Sequence, residues 1–217
     1  MKIALVGATG FVGTAVLNEA LNRGHEVTAL ARNTENIKTS SDKLTAKATD
    51  VNNVAQLAEV VKGSDAVVSA FNAGWTNPNL YNDFLEGSKN IEQAVEEAGV
   101  KRFLTVGGAG SLYIAPGVQL VDTPEFPEEY KAGATSARDY LNVLKENKNL
   151  DWTFLSPAIY MHPGTSGERK GTYRTGLEEP VFNDNKESKI SVEDLAVAIV
   201  DEIENGKHIR QRFTVAY

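Results

Sequence analysis

Cysteine is absent from the 217 residues. That removes disulfides, thiolate metal sites, iron–sulfur clusters and cysteine nucleophiles together. Histidine is scarce, and His25, His162 and His208 stand too far apart for a sequence-local zinc motif, so no metal site is expected. No apolar run approaches the ~20 residues that a membrane helix needs. Met1-Lys2 is followed by only four apolar residues before Gly7, far short of a signal-peptide core. The expectation is a cytoplasmic chain without a membrane partner. Positive charge is in deficit, with 22 Lys and Arg against 29 Asp and Glu and a net charge of −7. Nucleic acid is therefore a poor default partner. The remaining composition, 41% hydrophobic and 24% charged, is that of a globular chain and excludes disorder or coiled coil as the dominant state. At ~150 residues per domain, the length fits one domain over 1–217.

The first hundred residues alternate short β-branched runs with helical patterns. Strands are expected at 2–6 (KIALV), 26–31 (EVTALA), 44–48, 65–70 (DAVVSA) and 101–106 (KRFLTV). Helices are expected at 11–22, 53–62 and 79–98, from apolar residues at helical spacing. Such alternation calls for parallel strands joined by right-handed crossovers, hence an α/β, Rossmann-like doubly wound sheet flanked by helices. Beyond residue 106 the pattern loosens. Residues 107–127 read as a long loop, and a loop of that length in a compact domain is usually functional. A helix over 128–147, a strand at 151–155 (DWTFL) ended by Pro157, a helix from Ser191 and a strand at 212–216 follow. The stretch within about 157–190 is rich in Gly and charge, and is expected to be a small substrate-side insertion.

The strongest motif is Gly7-Ala8-Thr9-Gly10-Phe11-Val12-Gly13, directly after the first strand and opening the first helix. Gly7 permits a tight turn, Gly10 admits a pyrophosphate without a Cβ in the way, and Gly13 lets the helix sit close to the sheet. The helix N-terminus adds unpaired N–H donors and partial positive charge. The end of the second strand bears on the choice of dinucleotide. A carboxylate there would hold the ribose hydroxyls of NAD, but this chain has Ala31-Arg32-Asn33-Thr34, with no acid before Glu35. Arg32 lies about 19 residues past Gly13, where the acid is expected. A guanidinium clamps a phosphate with two parallel hydrogen bonds, so NADP(H) is expected in preference to NAD(H).

The Gly-x-x-Gly-x-x-Gly spacing of GATGFVG resembles the short-chain dehydrogenase/reductase superfamily. Asp50-Val51 is similar to that superfamily's adenine contact, Ala70-Phe71-Asn72 to the turn that passes the cofactor, and Gly107-Gly108-Ala109-Gly110-Ser111 to the stretch holding its catalytic serine. DWTFLSPAIYMHPG and ISVEDLAVAIVDEIE…RFTVAY resemble the atypical NAD(P)H-binding, NmrA-like branch, nearest to NADH-flavin reductases and biliverdin-IXβ (flavin) reductase. The resemblance implies cofactor contacts at Gly7, Thr9, Gly10, Phe11, Val12, Gly13, Arg32, Asp50, Val51, Ala70, Phe71, Asn72, Gly107, Pro157, Ala158 and Ile159.

One departure is informative. The superfamily's Tyr-x-x-x-Lys pair is missing: Ala134 stands four residues after Tyr130, and Leu144 four after Tyr140. Residues four apart share a helix face and five apart do not, so Lys145 cannot serve Tyr140. Alcohol–ketone chemistry by the usual route loses its proton donor. Flavin reduction tolerates that loss, because the cofactor carries the difficult chemistry. The expected function is an NAD(P)H-dependent reductase of a flavin or similar conjugated small-molecule acceptor. Ser111 and Tyr130 are the candidate catalytic residues, and Trp75, Tyr113, Tyr160 and His162 the candidate pocket walls. Two alternatives stand beside it: a non-catalytic NAD(P)-binding redox sensor, and a nucleotide-sugar epimerase or dehydratase. The expected assembly is a monomer or homodimer.

Overall fold

The structure, a computed structural model, describes residues 1–217. Eight strands form one sheet: β1 (Lys2–Val6), β2 (Glu26–Ala31), β3 (Leu44–Ala48), β4 (Ala66–Ser69), β5 (Arg102–Val106), β8 (Asp151–Ser156), β9 (Arg174–Gly176) and β10 (Gln211–Ala216). Their order is β3-β2-β1-β4-β5-β8-β10-β9. Every pairing is parallel except that of β9 with β10. The chain reverses direction across the sheet between β1 and β4, the switch point where doubly wound folds take their ligands, beyond the carboxyl ends of the strands.

Helices α1 (Phe11–Asn22) and α5 (Val192–Asn205) cover one face, while α2 (Val54–Val61), α3 (Leu80–Glu97) and α4 (Glu128–Lys145) cover the other. Two apolar cores result, one centred on Leu5, Leu17, Leu104 and Phe213, the other on Val67, Ile91, Phe103 and Phe154. β1 is buried from Ile3 to Val6 because both faces are covered, which is why KIALV shows no alternation. β3, at the sheet edge, is largely exposed. No helix is long and apolar enough to cross a membrane.

The doubly wound α/β sheet is thus the one the alternation of elements predicts. The second half departs in detail. Residues 107–127 are not a plain loop: a hairpin of β6 (Tyr113–Ala115) and β7 (Val118–Gln119) lies between two short 3-10 turns. Strands of two or three residues are too short to show a period. The stretch within 157–190 divides its work. Its GTYRT run supplies β9, which takes the sheet edge from β10. Upstream, Lys170 and Gly171 donate their backbone N–H groups to Asp194 at the start of α5 (3.0 and 2.7 Å). Ser191 Oγ accepts from the Asp194 N–H (3.1 Å), capping α5. The Asp194 carboxylate anchors the preceding loop.

Candidate functional site

The turn after β1 is fixed by its own backbone. Gly7 has φ of 80°, and a Cβ there would stand 2.6 Å from the Ala70 carbonyl oxygen. The N–H groups of Gly7 and Ala8 donate to the Leu30 carbonyl (3.1 and 3.3 Å), pinning the turn to the end of β2. At Gly13 an added Cβ would lie 2.0 Å from the Gly7 carbonyl oxygen. The helix therefore presses on the turn itself, a tighter constraint than helix against sheet. Gly10 differs from both. Its φ of −77° suits any residue, and a Cβ there would meet only the Gly7 oxygen, at 3.4 Å. Nothing inside the protein requires glycine at this place.

No side chain caps α1, and no carboxylate stands in its first turn. The first-turn amides are left without partners, as at any uncapped helix start. Thr9, Gly10 and Phe11 are exposed, Val12 is half-buried and Gly13 buried. An uncapped helix start with glycine at its N-cap and no carboxylate in its own first turn fits a diphosphate. A cavity of about 460 Å³ opens next to it, with Thr9, Gly10 and Phe11 on one wall and Arg169 and Glu193 on another. Arg169 grips the buried Glu19 carboxylate through Nε and Nη2, both at 2.8 Å. That bond, ahead of the one from Arg23, holds the Glu19 carboxyl below its ordinary range.

The neighbouring strand ends complete the cofactor side. Arg32 follows β2 directly, exposed and bound by no side chain. Asp50 Oδ1 accepts from the Asn52 N–H (3.0 Å), closing a local turn, and Val51 approaches α3 at Gly87. Phe71 lies half-buried against Gly87, where a Cβ would come within 2.6 Å of its ring. It stacks with Phe84 at 6.0 Å. Asn72 Oδ1 accepts from the Gly74 N–H (2.7 Å).

Beyond β5 the site is shaped by side chains. Gly107 faces the Phe154 ring, with 1.9 Å between an added Cβ and Cζ. Ser111 is buried, and its hydroxyl lies within hydrogen-bond reach of the Gly108 carbonyl (3.2 Å), Ser156 Oγ (3.3 Å) and Arg212 Nη1 (3.2 Å). Arg212 also donates to the Ser111 carbonyl (3.1 Å) and pairs with Glu178. This buried arginine locks the loop after β5 to the loop before α5, and the sequence reading missed it. A lone cation in the apolar run RFTVA is the signal that could have found it, because a fully buried arginine needs partners.

Tyr130 stands on the first turn of α4, half-exposed, edge-on to Trp75 with centroids 5.5 Å apart at 87°. Ala134, its neighbour one turn on, packs toward Gly110. Tyr140 is wholly buried, and burial, reinforced by the Glu92 carboxylate, pushes its phenol far above the ordinary value. Pro157 and Ala158 are buried and Ile159 half-buried at the end of β8. The Ile159 N–H donates to Ser188 Oγ (3.3 Å), and Tyr160, exposed, bridges to Lys189. His162 is exposed, and its Nδ1 accepts from the Gly164 N–H (3.1 Å), capping a short turn. The Tyr113 N–H donates to the Glu178 carbonyl (2.9 Å). The structure thus joins Trp75 to Tyr130, and Ser111 to Arg212, while His162 is occupied by its own turn.

Known proteins echo this geometry. The sequence profile of the NAD(P)H-binding family matches residues 7–205. The uncharacterised Bacillus subtilis protein YwnB is 39% identical, over 99% of this chain and 98% of its own. A candidate epimerase from Bacteroides thetaiotaomicron shares 47% identity at a TM-score of 0.91, over 100% of this chain and 96% of its own. A candidate NADH-flavin reductase from Streptococcus pneumoniae shares 38% at 0.85, over 100% and 99%.

Proposed function

We propose, from the premise that this chain belongs to the NAD(P)H-binding family, that it is a reductase of a flavin or similar conjugated acceptor that prefers NADPH to NADH. The observation that carries the reading is Gly10: a glycine with no internal reason to be one, at the mouth of an uncapped helix. The backbone amides of residues 11–13 would hold the diphosphate, and Arg32 the 2′-phosphate. Asp50, Val51 and the Ala70–Asn72 turn would border the adenosine end. Gly107, Ser111, Tyr130 and Pro157–Ile159 would face the nicotinamide end.

When bound, the nicotinamide supplies a hydride, which a stacked conjugated ring accepts without an enzyme acid at a carbonyl oxygen. The protein's task is then to position two planar molecules and exclude water. That suits a chain whose exposed tyrosine on α4 has Ala134 where a lysine would lower its pKa, and whose other α4 tyrosine is sealed in the core. The test is NADPH consumption by purified protein with riboflavin, FMN and quinones. Turnover with one of them is expected. Tight NADPH binding without turnover across the panel would overturn the reductase assignment and favour the redox-sensor alternative.

A further inference from the structure

We infer that Trp75 is the stacking platform for the acceptor and that the rim around it selects an uncharged planar ring system over a phosphorylated one. The inference rests on the reductase reading and adds the chemical class of its second substrate.

Trp75 is the most exposed large apolar side chain of the molecule, at 58%. It is nevertheless held firmly. One edge meets Tyr130, and its six-membered ring lies so close to Gly133 that a Cβ there would come within 2.8 Å of Cζ3. Leu80 closes the same seat. The loop beneath is clasped by Asn77, whose Nδ2 donates to the Ala73 carbonyl (3.3 Å) and to Asp83 (2.8 Å). A glycine inside a helix is unfavourable without a reason, and Gly133 has one in the indole. An aromatic ring that is rigidly seated yet open to solvent is preorganised for a flat partner.

Its location agrees. The loop carrying Trp75 begins at Ala70, whose carbonyl oxygen touches the Gly7 position of the phosphate turn. The ring therefore sits on the ligand-binding edge of the sheet, not on an outer flank.

Charge narrows the class. Between residues 122 and 131 the chain carries Asp122, Glu125, Glu128 and Glu129 against the single cation Lys131. Lys131 lies 3.7 Å from Glu128, and Arg138, further along α4, is bound to Asp122 and Asp139. This stretch is thus net negative by three charges, and exposed carboxylates repel a phosphate at low ionic strength.

The experiment is a fluorescence-anisotropy titration of riboflavin and FMN, which differ by one phosphate, with NADP⁺ saturating. Riboflavin is expected to bind roughly tenfold more tightly than FMN at low salt, with the gap closing at high salt. The Glu128→Gln, Glu129→Gln double variant should narrow it at low salt. Trp75→Ala should weaken riboflavin roughly tenfold or more, with NADPH affinity by calorimetry unchanged. Gly133→Ala should weaken it less, by displacing the indole, and Trp75→Phe should retain most binding. Tyr130→Phe keeps the supporting ring and should preserve riboflavin binding, whereas Tyr130→Ala should not. Equal riboflavin affinity in wild type, Trp75→Ala and Gly133→Ala overturns the platform, as does the absence of riboflavin binding to wild type. Equal FMN and riboflavin affinity at low salt overturns the charge selection. If Trp75→Ala does not fold, Trp75→Phe and Gly133→Ala carry the test. Turnover that survives Trp75→Ala unchanged sinks the platform and leaves the reductase reading standing; Trp75-dependent riboflavin binding without turnover does the reverse.

Discussion

Gly7 and Gly13 of the first turn and three glycines beyond β5 are required by different neighbours. Around the first turn the obstacle to a Cβ is main chain: the Ala70 carbonyl at Gly7 and the Gly7 carbonyl at Gly13. Beyond β5 it is side chain: Phe154 at Gly107, the Ala134 methyl at Gly110, Trp75 at Gly133. Main-chain obstacles persist whatever residues surround them, so the first turn has a shape that substitution cannot retune. Side-chain obstacles are themselves substitutable. The region beyond β5 can change its contour while the frame stays, as expected where one fold hosts varied chemistry.

The sharpest way to break this contrast is Gly13→Ala. With backbone 2.0 Å from the new Cβ, the turn must open, and a loss of about 3 kcal/mol or more is expected in urea unfolding, with NADPH binding abolished. A near-neutral result would mean the turn is not set by main-chain contact. Gly10→Ala separates ligand from fold. Stability should fall by no more than about 1 kcal/mol, the cost of alanine as an N-cap, while NADPH affinity by calorimetry drops at least roughly tenfold because a Cβ intrudes on the amides. Unchanged affinity would remove the diphosphate from this turn. Arg32→Ala should lower NADPH affinity by about tenfold and leave NADH affinity alone, given the strength of a charge-assisted pair. An unaltered ratio would show that the specificity lies elsewhere.

The smallest effect concerns the strap across the α1–α5 face. Glu19 has its folded-state pKa lowered, chiefly by Arg169. Its contribution to stability is therefore present above the unfolded carboxylate value and is lost as pH falls through the lowered folded one. Arg169 is half-exposed, so Glu19→Gln should cost only about 1 kcal/mol at neutral pH. It should also flatten the acid limb of the stability–pH curve. An acid limb identical to wild type would exclude Glu19 as its source.

Legibility followed the same divide. GATGFVG announced the turn because its demands are local, and glycine is the residue that meets them. Arg32 was placed by counting from Gly13. The seat of Trp75 was not legible, because Gly133 and Trp75 are 58 residues apart in the chain and meet only once α4 packs near the loop after β4. The partners of Ser111 were hidden for a related reason: Arg212 reaches it across 101 residues, from a strand that reads as apolar core. The hairpin inside 107–127 escaped because its strands fall below the length at which alternation can be counted.

The order of strands and helices, the phosphate turn and the absence of a Tyr-x-x-x-Lys pair were fixed by residue type and spacing, since each is a short-range property of the backbone or of one helix face. Which aromatic ring stands open, which hydroxyl is tied down and which arginine is buried were decided only when distant segments packed, because burial and hydrogen-bond partnership belong to pairs of residues that the chain brings together late.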